Sequence, residues 1–377
     1  MPLSRSTIAA NLALLALGAV LSVALAEMGL RFYDPLGQRL MGDQIRLQRN
    51  VRVSFEVEHD GRAGSRVEFT RNSVGFRGPD PPRDFDRRLT VVAVGGSTTE
   101  CILLSEGKSW PEVMARALPR RFRDPWVNNA GLDGHSTHGH QVLLESFLVA
   151  LRPRVVAFLV GINDVGRERR TGRDLRYQAP LHVRLARHSA LLATLLNVRR
   201  HLAAEQAGLR HERIDVSRVG QIPQQLRLRE RLIPYHRQRF LPRFRERLER
   251  LVRTCLEHGI VPVLITQPAL FGYAIDPATG VDLSRVVVKD VARMHDEELN
   301  GGLAWRVLEE YNGVTREVAA ANGIPLVDLA LLPKDSRLYY DYLHFTEQGA
   351  EAVGELVAAE VSPALAERFP DFVRPAG

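Results

Sequence analysis

The sequence predicts an α/β domain with a parallel sheet that is covered by helices on both faces. Short apolar runs alternate along the chain with longer amphipathic stretches, as in a series of strand and helix units. One apolar run, residues 91–94, is typical of a parallel strand buried on both faces. With 377 residues, 45% of them hydrophobic, the chain can build one large core. We predict strands near 89–95, 125–130, 154–160, 260–267 and 324–329, and helices near 107–119, 138–151, 237–258, 302–322 and 346–360.

The N-terminal region is expected to enter a membrane. Residues 7–26 carry no charge and consist mostly of Ala, Leu and Val. About twenty helical residues, each rising about 1.5 Å, cross a bilayer core of about 30 Å. Two interpretations remain open. Residues 1–27 are an uncleaved signal anchor with the domain on the periplasmic side of the inner membrane, or a signal peptide cleaved near Ala26 releases a secreted protein.

A connector and a β-hairpin are predicted between this segment and the main domain. Residues 28–87 form this region, and residues 51–72 within it alternate between polar and apolar side chains. The sequence His-Asp-Gly at 59–61 supplies the turn between the two strands. The hairpin is therefore expected to be a small addition in front of the first core strand.

An insertion interrupts the later alternation of strands and helices. Residues 165–236 are rich in arginine and include an amphipathic stretch, so we predict a helical insertion above the strand ends. Either it forms a lid or substrate wall, or it packs as a solvated helical pair on the side of the domain. The main domain is then residues 88–366, and residues 367–377 form a C-terminal tail.

The charge and the cysteines exclude several classes of function. The net charge is +7, and nearly all of the positive charge is arginine. The sequence contains no basic stripe with interleaved aromatic residues and no nucleic-acid-binding motif. We therefore predict no nucleic-acid partner; anionic lipid headgroups suit a membrane-tethered chain better. Cys101 and Cys255 are too few for a disulfide framework. Cys101 is expected to be a small packed residue and not a second nucleophile.

Four short motifs stand at or after predicted strand ends, where open α/β sheets place their chemistry. Gly95 and Gly96 permit a sharp turn, and Ser97 follows them directly as a candidate nucleophile. Because a serine hydroxyl is a weak nucleophile, it needs a base that takes its proton. The other three motifs are Asn129-Ala130-Gly131-Leu132-Asp133-Gly134, Gly161-Ile162-Asn163-Asp164 and Asp341-Tyr342-Leu343-His344.

In this order the motifs resemble the SGNH hydrolase superfamily, also called the GDSL esterase/lipase family, over about residues 88–366. The chain looks like a membrane-anchored, bacterial-type member. It departs at one position, since Gly96 stands where the family's Gly-Asp-Ser has Asp. The resemblance implies a five-stranded parallel sheet with flavodoxin-like strand order, in a three-layer α/β/α arrangement.

The resemblance also implies the catalytic roles. Ser97 is the nucleophile, His344 is its base, and Asp341 orients the imidazole and fixes its tautomer. The oxyanion donors are the Ser97 N–H, the Gly134 N–H and the Asn163 amide. Gly131 is the alternative to Gly134 as the glycine of the second motif. Asp164 is expected to shape the loop of Asn163 and not to take part in the reaction.

We expect an ester hydrolase that acts on acyl or acetyl groups of a lipid or of a cell-envelope glycan, without a cofactor. Two alternatives stay open: an O-acyltransferase with the same triad, and a non-catalytic carbohydrate-binding or assembly protein on this scaffold. His135, His138 and His140 suggest zinc, but their spacing matches no standard motif. We predict no metal site and expect these histidines at the rim of the active site.

Overall fold

The computed structural model describes residues 5–32, 47, 49–59, 62–169, 174, 189–192, 194–195, 213–288 and 298–375. The chain divides into two compact units. One consists of Met1–Arg46 and Arg176–His211, and the other of Leu47–Leu175 and Glu212–Gly377. Half of the predicted insertion, including residues 175–188 and 196–212, lies outside the described residues, so its two interpretations remain predictions.

The first unit contains the apolar N-terminal helix, α1, at Arg5–Phe32. Its segment Asn11–Arg31 is long and apolar enough to cross a membrane, a property that signal anchors and signal peptides share. Near the end of α1, the Glu27 carboxylate accepts hydrogen bonds from Ser189 Oγ and from the N–H groups of Ala190 and Leu191, at 2.9, 2.7 and 3.0 Å. Glu27 thus caps the helical turn that begins at residue 190.

The second unit holds the hairpin and the main sheet. Among the described residues the strands are β1 Val51–His59, β2 Arg62–Arg71, β3 Thr90–Gly95, β4 Trp126–Asn129, β5 Val155–Leu159, β6 Val261–Ile265, β7 Val287–Val288, β8 Leu299–Asn300 and β9 Leu326–Val327. The α-helices among the described residues of this unit are α2 Ser97–Glu100, α3 Trp110–Ala117, α4 Thr137–Leu143, α5 Val149–Leu151, α6 Leu226–Arg239, α7 Leu241–Glu257, α8 Gly301–Asn322 and α9 Glu347–Arg368.

The main sheet has five parallel strands in the order β4-β3-β5-β6-β9. Numbered within this sheet, the order is 2-1-3-4-5, so the flavodoxin-like arrangement is confirmed. Every residue of β3 and of β5 is buried, as the apolar runs predicted. The antiparallel pairing of β1 with β2 likewise confirms the hairpin.

Helices cover the sheet in two groups. Helices α3 and α9 pack against each other, and α4, α6, α7 and α8 form the second group. Helix α7 shows why they pack in this way. Its buried side chains recur every three or four residues, at Leu241, Phe244, Leu248, Leu251, Val252 and Cys255, while most of its arginines remain in solvent.

The contact between α3 and α9 requires a glycine, and this gives a first prediction. A Cβ at Gly354 would lie 2.5 Å from Val113 Cβ and 2.6 Å from Trp110 O. Gly354→Ala should therefore lower the free energy of unfolding by about 1–2 kcal/mol, because overpacking outweighs the better helix propensity of alanine. The measurement is chemical denaturation of the full chain in detergent micelles.

Gly313 in α8 is the matched control, because a Cβ there meets no atom within 4 Å. Gly313→Ala should raise the free energy of unfolding by about 0.5–1 kcal/mol, through helix propensity alone. Equal stabilities of the two variants would contradict the tight packing at Gly354.

Candidate active site

Ser97 stands at the carboxyl end of β3, as the first residue of the short helix α2. The turn into α2 is tight, since a Cβ at Gly95 would lie 2.1 Å from Thr99 Oγ1. Only 9% of Ser97 is exposed, and its Oγ lies 2.7 Å from His344 Nε2. The strand end therefore delivers the serine hydroxyl directly to the imidazole that the sequence motif predicted.

Asp341 holds this imidazole from the other side. His344 Nδ1 lies 2.6 Å from Asp341 Oδ2, while Asp341 Oδ1 accepts the N–H groups of Leu343 and His344, each at 2.7 Å. Burial raises the pKa of Asp341, but the electrostatic interaction with His344 and these hydrogen bonds outweigh burial, so the pKa lies below its ordinary value. An ionised Asp341 accepts from Nδ1–H, which leaves Nε2 as the acceptor for the Ser97 hydroxyl.

The loop that carries this pair is held by the start of α9. Thr346 caps the helix, since its Oγ1 accepts Gly349 N–H at 3.1 Å and donates to Arg337 O at 2.7 Å. The Tyr340 ring stacks on the His344 imidazole, with ring centroids 5.5 Å apart. These contacts restrict the imidazole to the orientation in which it meets Ser97.

Gly134 lies in a loop packed against the residues before Ser97. Leu132 N–H donates to Gly95 O at 3.0 Å, and Gly134 has φ +69°, a left-handed conformation that favours glycine. No described residue accepts the Gly134 N–H. The rival, Gly131, donates its N–H to Asn129 Oδ1 at 2.9 Å. The geometry thus favours Gly134 as an oxyanion donor.

Asn163 lies directly beside Gly96. Its Nδ2 donates to His135 O at 2.9 Å, and a Cβ at Gly96 would lie 2.2 Å from that same nitrogen. An amide nitrogen carries two hydrogens, so one remains for a substrate oxygen. Any side chain at position 96 would therefore require the Asn163 amide to shift from its place in this structure.

Asp164 fixes the loop of Asn163 to helix α4. It accepts from Thr137 Oγ1 at 2.6 Å and from an Arg247 guanidinium nitrogen at 3.1 Å. All three side chains are buried or nearly so. Asp164 is therefore in the structural role that the sequence suggested.

Two of the three histidines near Gly134 differ from the expectation of a rim. His135 and His140 are buried and stacked, with ring centroids 6.2 Å apart, while His138 is half-buried. Burial lowers the pKa of His135 to about 3 and that of His140 to about 4, so both rings are neutral at physiological pH. Within the described part of the chain, no group of three or more histidine, cysteine or acidic side chains is arranged to hold a metal ion.

Cys101 is packed, as expected. It is buried four residues after Ser97, and burial raises the pKa of its thiol to about 12. A thiol in this environment stays protonated and is a poor nucleophile.

Sequence reasoning missed the arginine that fixes the loop after α2. Arg77 is fully buried and donates to the carbonyl oxygens of residues 100, 101, 104 and 105, each at 3.1 Å. Its guanidinium also pairs with Glu112 at 3.0 Å and lies over the Phe69 ring at 4.2 Å. Nothing in the local sequence distinguishes Arg77 from the many surface arginines.

A sequence profile of the GDSL-like Lipase/Acylhydrolase family matches residues 93–352. The chain belongs to this family. It is a serine ester hydrolase on an SGNH scaffold. No curated protein sequence matches it significantly.

Several solved structures resemble the GDSL-family chain. A lipase/acylhydrolase from Enterococcus faecalis is 17% identical, covers 76% of this chain and 98% of its own, and has a TM-score of 0.41. The acetyl xylan esterase AlAXEase is 16% identical; the match covers 72% of this chain and 99% of the esterase, with a TM-score of 0.39. Axe2, an acetylxylan esterase from Geobacillus stearothermophilus, is 14% identical; the match covers 72% of this chain and 93% of Axe2, with a TM-score of 0.39. The activities in these names belong to those proteins.

Gly96 provides a second prediction. A methyl group at this position must displace the Asn163 amide. If that amide is the oxyanion donor that the sequence predicts, Gly96→Ala should lower kcat for ester hydrolysis about 10-fold or more, because loss of one such donor costs about 10²–10³. The assay is p-nitrophenyl acetate hydrolysis by the full chain, with thermal unfolding to establish that the variant is folded. Gly313→Ala is the control, and wild-type kcat in Gly96→Ala would exclude the close contact.

Proposed function

We propose that Ser97, His344 and Asp341 form the catalytic triad of this esterase. The observation that carries the proposal is the continuous chain of short contacts from Ser97 Oγ to His344 Nε2 at 2.7 Å and from His344 Nδ1 to Asp341 at 2.6 Å. A nucleophile bonded to a base that a third group orients is the arrangement required for acyl transfer.

In the first half of the reaction, Ser97 Oγ attacks the carbonyl carbon of the ester and His344 Nε2 takes the hydroxyl proton. The buried Asp341 carboxylate stabilises the imidazolium that forms. The tetrahedral oxyanion is bound by the N–H groups of Ser97 and Gly134 and by the Asn163 amide. Collapse of this intermediate breaks the C–O bond, His344 protonates the leaving alcohol, and the acyl group remains on Ser97.

In the second half, water attacks the acyl-enzyme. His344 removes a proton from the water, a second tetrahedral intermediate forms at the same donors, and its collapse returns the proton to Ser97 Oγ. The products are a carboxylic acid and the free serine. These two half-reactions use only side-chain and backbone groups of this chain, so the proposed cycle needs no cofactor.

The proposed substrate is an acyl or acetyl ester of a lipid or of a cell-envelope glycan. The support is the apolar helix at the N-terminus, which suits a protein that works at or beyond a membrane. We place the catalytic domain on the periplasmic side of the inner membrane, anchored by residues 7–26, with secretion after cleavage near Ala26 as the alternative. In either case the enzyme meets envelope material.

The triad gives a third prediction. Ser97→Ala should abolish p-nitrophenyl acetate turnover, and Asp341→Asn should lower kcat about 10²–10⁴-fold because the imidazole loses its orienting acceptor. Both variants should keep the wild-type fold by circular dichroism. Ser217→Ala, at an exposed serine, is the matched control with unchanged kcat. A folded Ser97→Ala protein with wild-type turnover would overturn the proposed triad.

Product analysis distinguishes hydrolysis from transfer. With water as the acceptor, the acid should appear at the same rate as p-nitrophenol, and added oligosaccharide should leave that ratio unchanged. An acyl-enzyme that persists in water and turns over only when a sugar acceptor is present would instead identify an O-acyltransferase.

The anchor gives a fourth prediction. Full-length chain should remain in the membrane fraction after alkaline extraction, because about twenty apolar residues insert stably in a bilayer. Intact-mass measurement of the extracted protein then shows at which residue the chain begins. A soluble chain that begins at Glu27 would show cleavage and contradict the anchor.

A further inference from the structure

An ion pair links the hairpin to the helix that begins with Ser97. Arg71 is the last residue of β2, and Glu100 is the last residue of α2. A guanidinium nitrogen of Arg71 lies 2.5 Å from Glu100 Oε1. The two side chains are only 11% and 7% exposed, so this pair differs from the solvated ion pairs elsewhere on the surface of the hairpin.

The second oxygen of the same carboxylate faces the loop of Gly134. Glu100 Oε2 accepts the N–H of Asp133 at 2.7 Å. Asp133 immediately precedes Gly134, and Glu100 is three residues after Ser97. One carboxylate therefore connects the helix of the nucleophile with the backbone of a proposed oxyanion donor.

Glu100 cannot easily move without moving that loop. A Cβ at Gly131 would lie 2.3 Å from Glu100 N, so the loop and α2 are already in contact. Burial raises the pKa of Glu100, and the charge of Arg71 opposes this rise. Without Arg71 the buried carboxylate would lose the cation that pairs with its Oε1, a loss that is strongly unfavourable and that drives rearrangement.

We propose that Arg71 and Glu100 are positioning residues for the oxyanion hole. Arg71 neutralises Glu100, and Glu100 holds the Asp133 amide so that the next N–H, that of Gly134, points to the oxyanion. Arg71 lies before the region matched by the family profile, residues 93–352. The hairpin is thus an addition to the family domain that completes its active site. This inference rests on the proposed function of Gly134.

Two substitutions test the pair in the full chain. Arg71→Met removes the cation and Glu100→Gln removes the charge with little change of shape. Both should lower kcat for p-nitrophenyl acetate about 10-fold, with little change of KM, because a displaced oxyanion donor acts mainly on the transition state. Arg52→Met is the matched control. It breaks the exposed pair with Glu68 on the same hairpin and should leave kcat unchanged.

A second readout separates positioning from general loss of structure. The corresponding thionoester develops a negative charge on sulfur, which accepts hydrogen bonds poorly. The ratio of oxoester to thionoester rates should therefore fall in Arg71→Met and Glu100→Gln and stay constant in Arg52→Met. A loss of kcat with an unchanged ratio would show a structural role alone and overturn the proposal.

Hydrogen exchange gives a result that needs no turnover. The amide of Asp133 should exchange faster in Arg71→Met than in wild type, and at the wild-type rate in Arg52→Met. Unchanged exchange at Asp133 would overturn the proposal whatever the activity. An inactive wild type, or an active Ser97→Ala, would instead sink the proposed triad, while the exchange rates still decide the positioning role.

Discussion

The parallel pairing of β3 with β4 on one side and β5 on the other determines where the chemistry occurs. Parallel strands bring their carboxyl ends to one edge of the sheet, and here the register matches Ala93 with Asn129 and Gly95 with Leu159. The residues that follow these three strand ends are Ser97, the loop of Gly134 and the loop of Asn163. Because the strands are buried on both faces, a shift of register would move apolar side chains and all three loops together.

Close backbone approach is the second constraint, and it accounts for the glycines around Ser97. At Gly95, Gly96 and Gly131 an added Cβ would lie between 2.1 and 2.3 Å from another atom of the site. The neighbouring groups are the Thr99 hydroxyl, the Asn163 amide and the Glu100 N–H respectively. Gly96 therefore lets the Asn163 amide lie against the turn of the nucleophile.

Much of this arrangement follows from the sequence because its signals are local. The apolar runs fixed the strands to within a few residues, and the order of the four motifs indicated the family and the residues around Ser97. The contacts of Asp341 with His344 are also local, since three residues separate them. The strand order came from the resemblance, because periodicity reports burial and not which strands are neighbours.

What the sequence did not reveal depends on long-range placement of charge. Alternation places Arg71 on the same face of the hairpin as Val67 and Phe69, but it does not identify the partner of the arginine's charge. Arg77 follows the hairpin, in the segment before β3. In the structure their partners include Glu100, Glu112 and carbonyl groups between them, which lie 23 to 35 residues away in the sequence. The spacing of residues in the sequence does not indicate which distant residues form such pairs.

Arg71 at the end of the hairpin and Arg77 in the segment before β3 both contribute charged groups to the region that follows Ser97. Arg77 satisfies the carbonyl groups of the loop after α2, and each would lose a charged donor if the arginine were removed. Arg71 neutralises a carboxylate that burial alone would disfavour. A boundary drawn at residue 88 separates both arginines from these partners. A domain that begins at residue 88 would keep the turn that carries Ser97. It would lack the two arginines that bind the end of α2, the loop after it and the carboxylate beside the Gly134 loop.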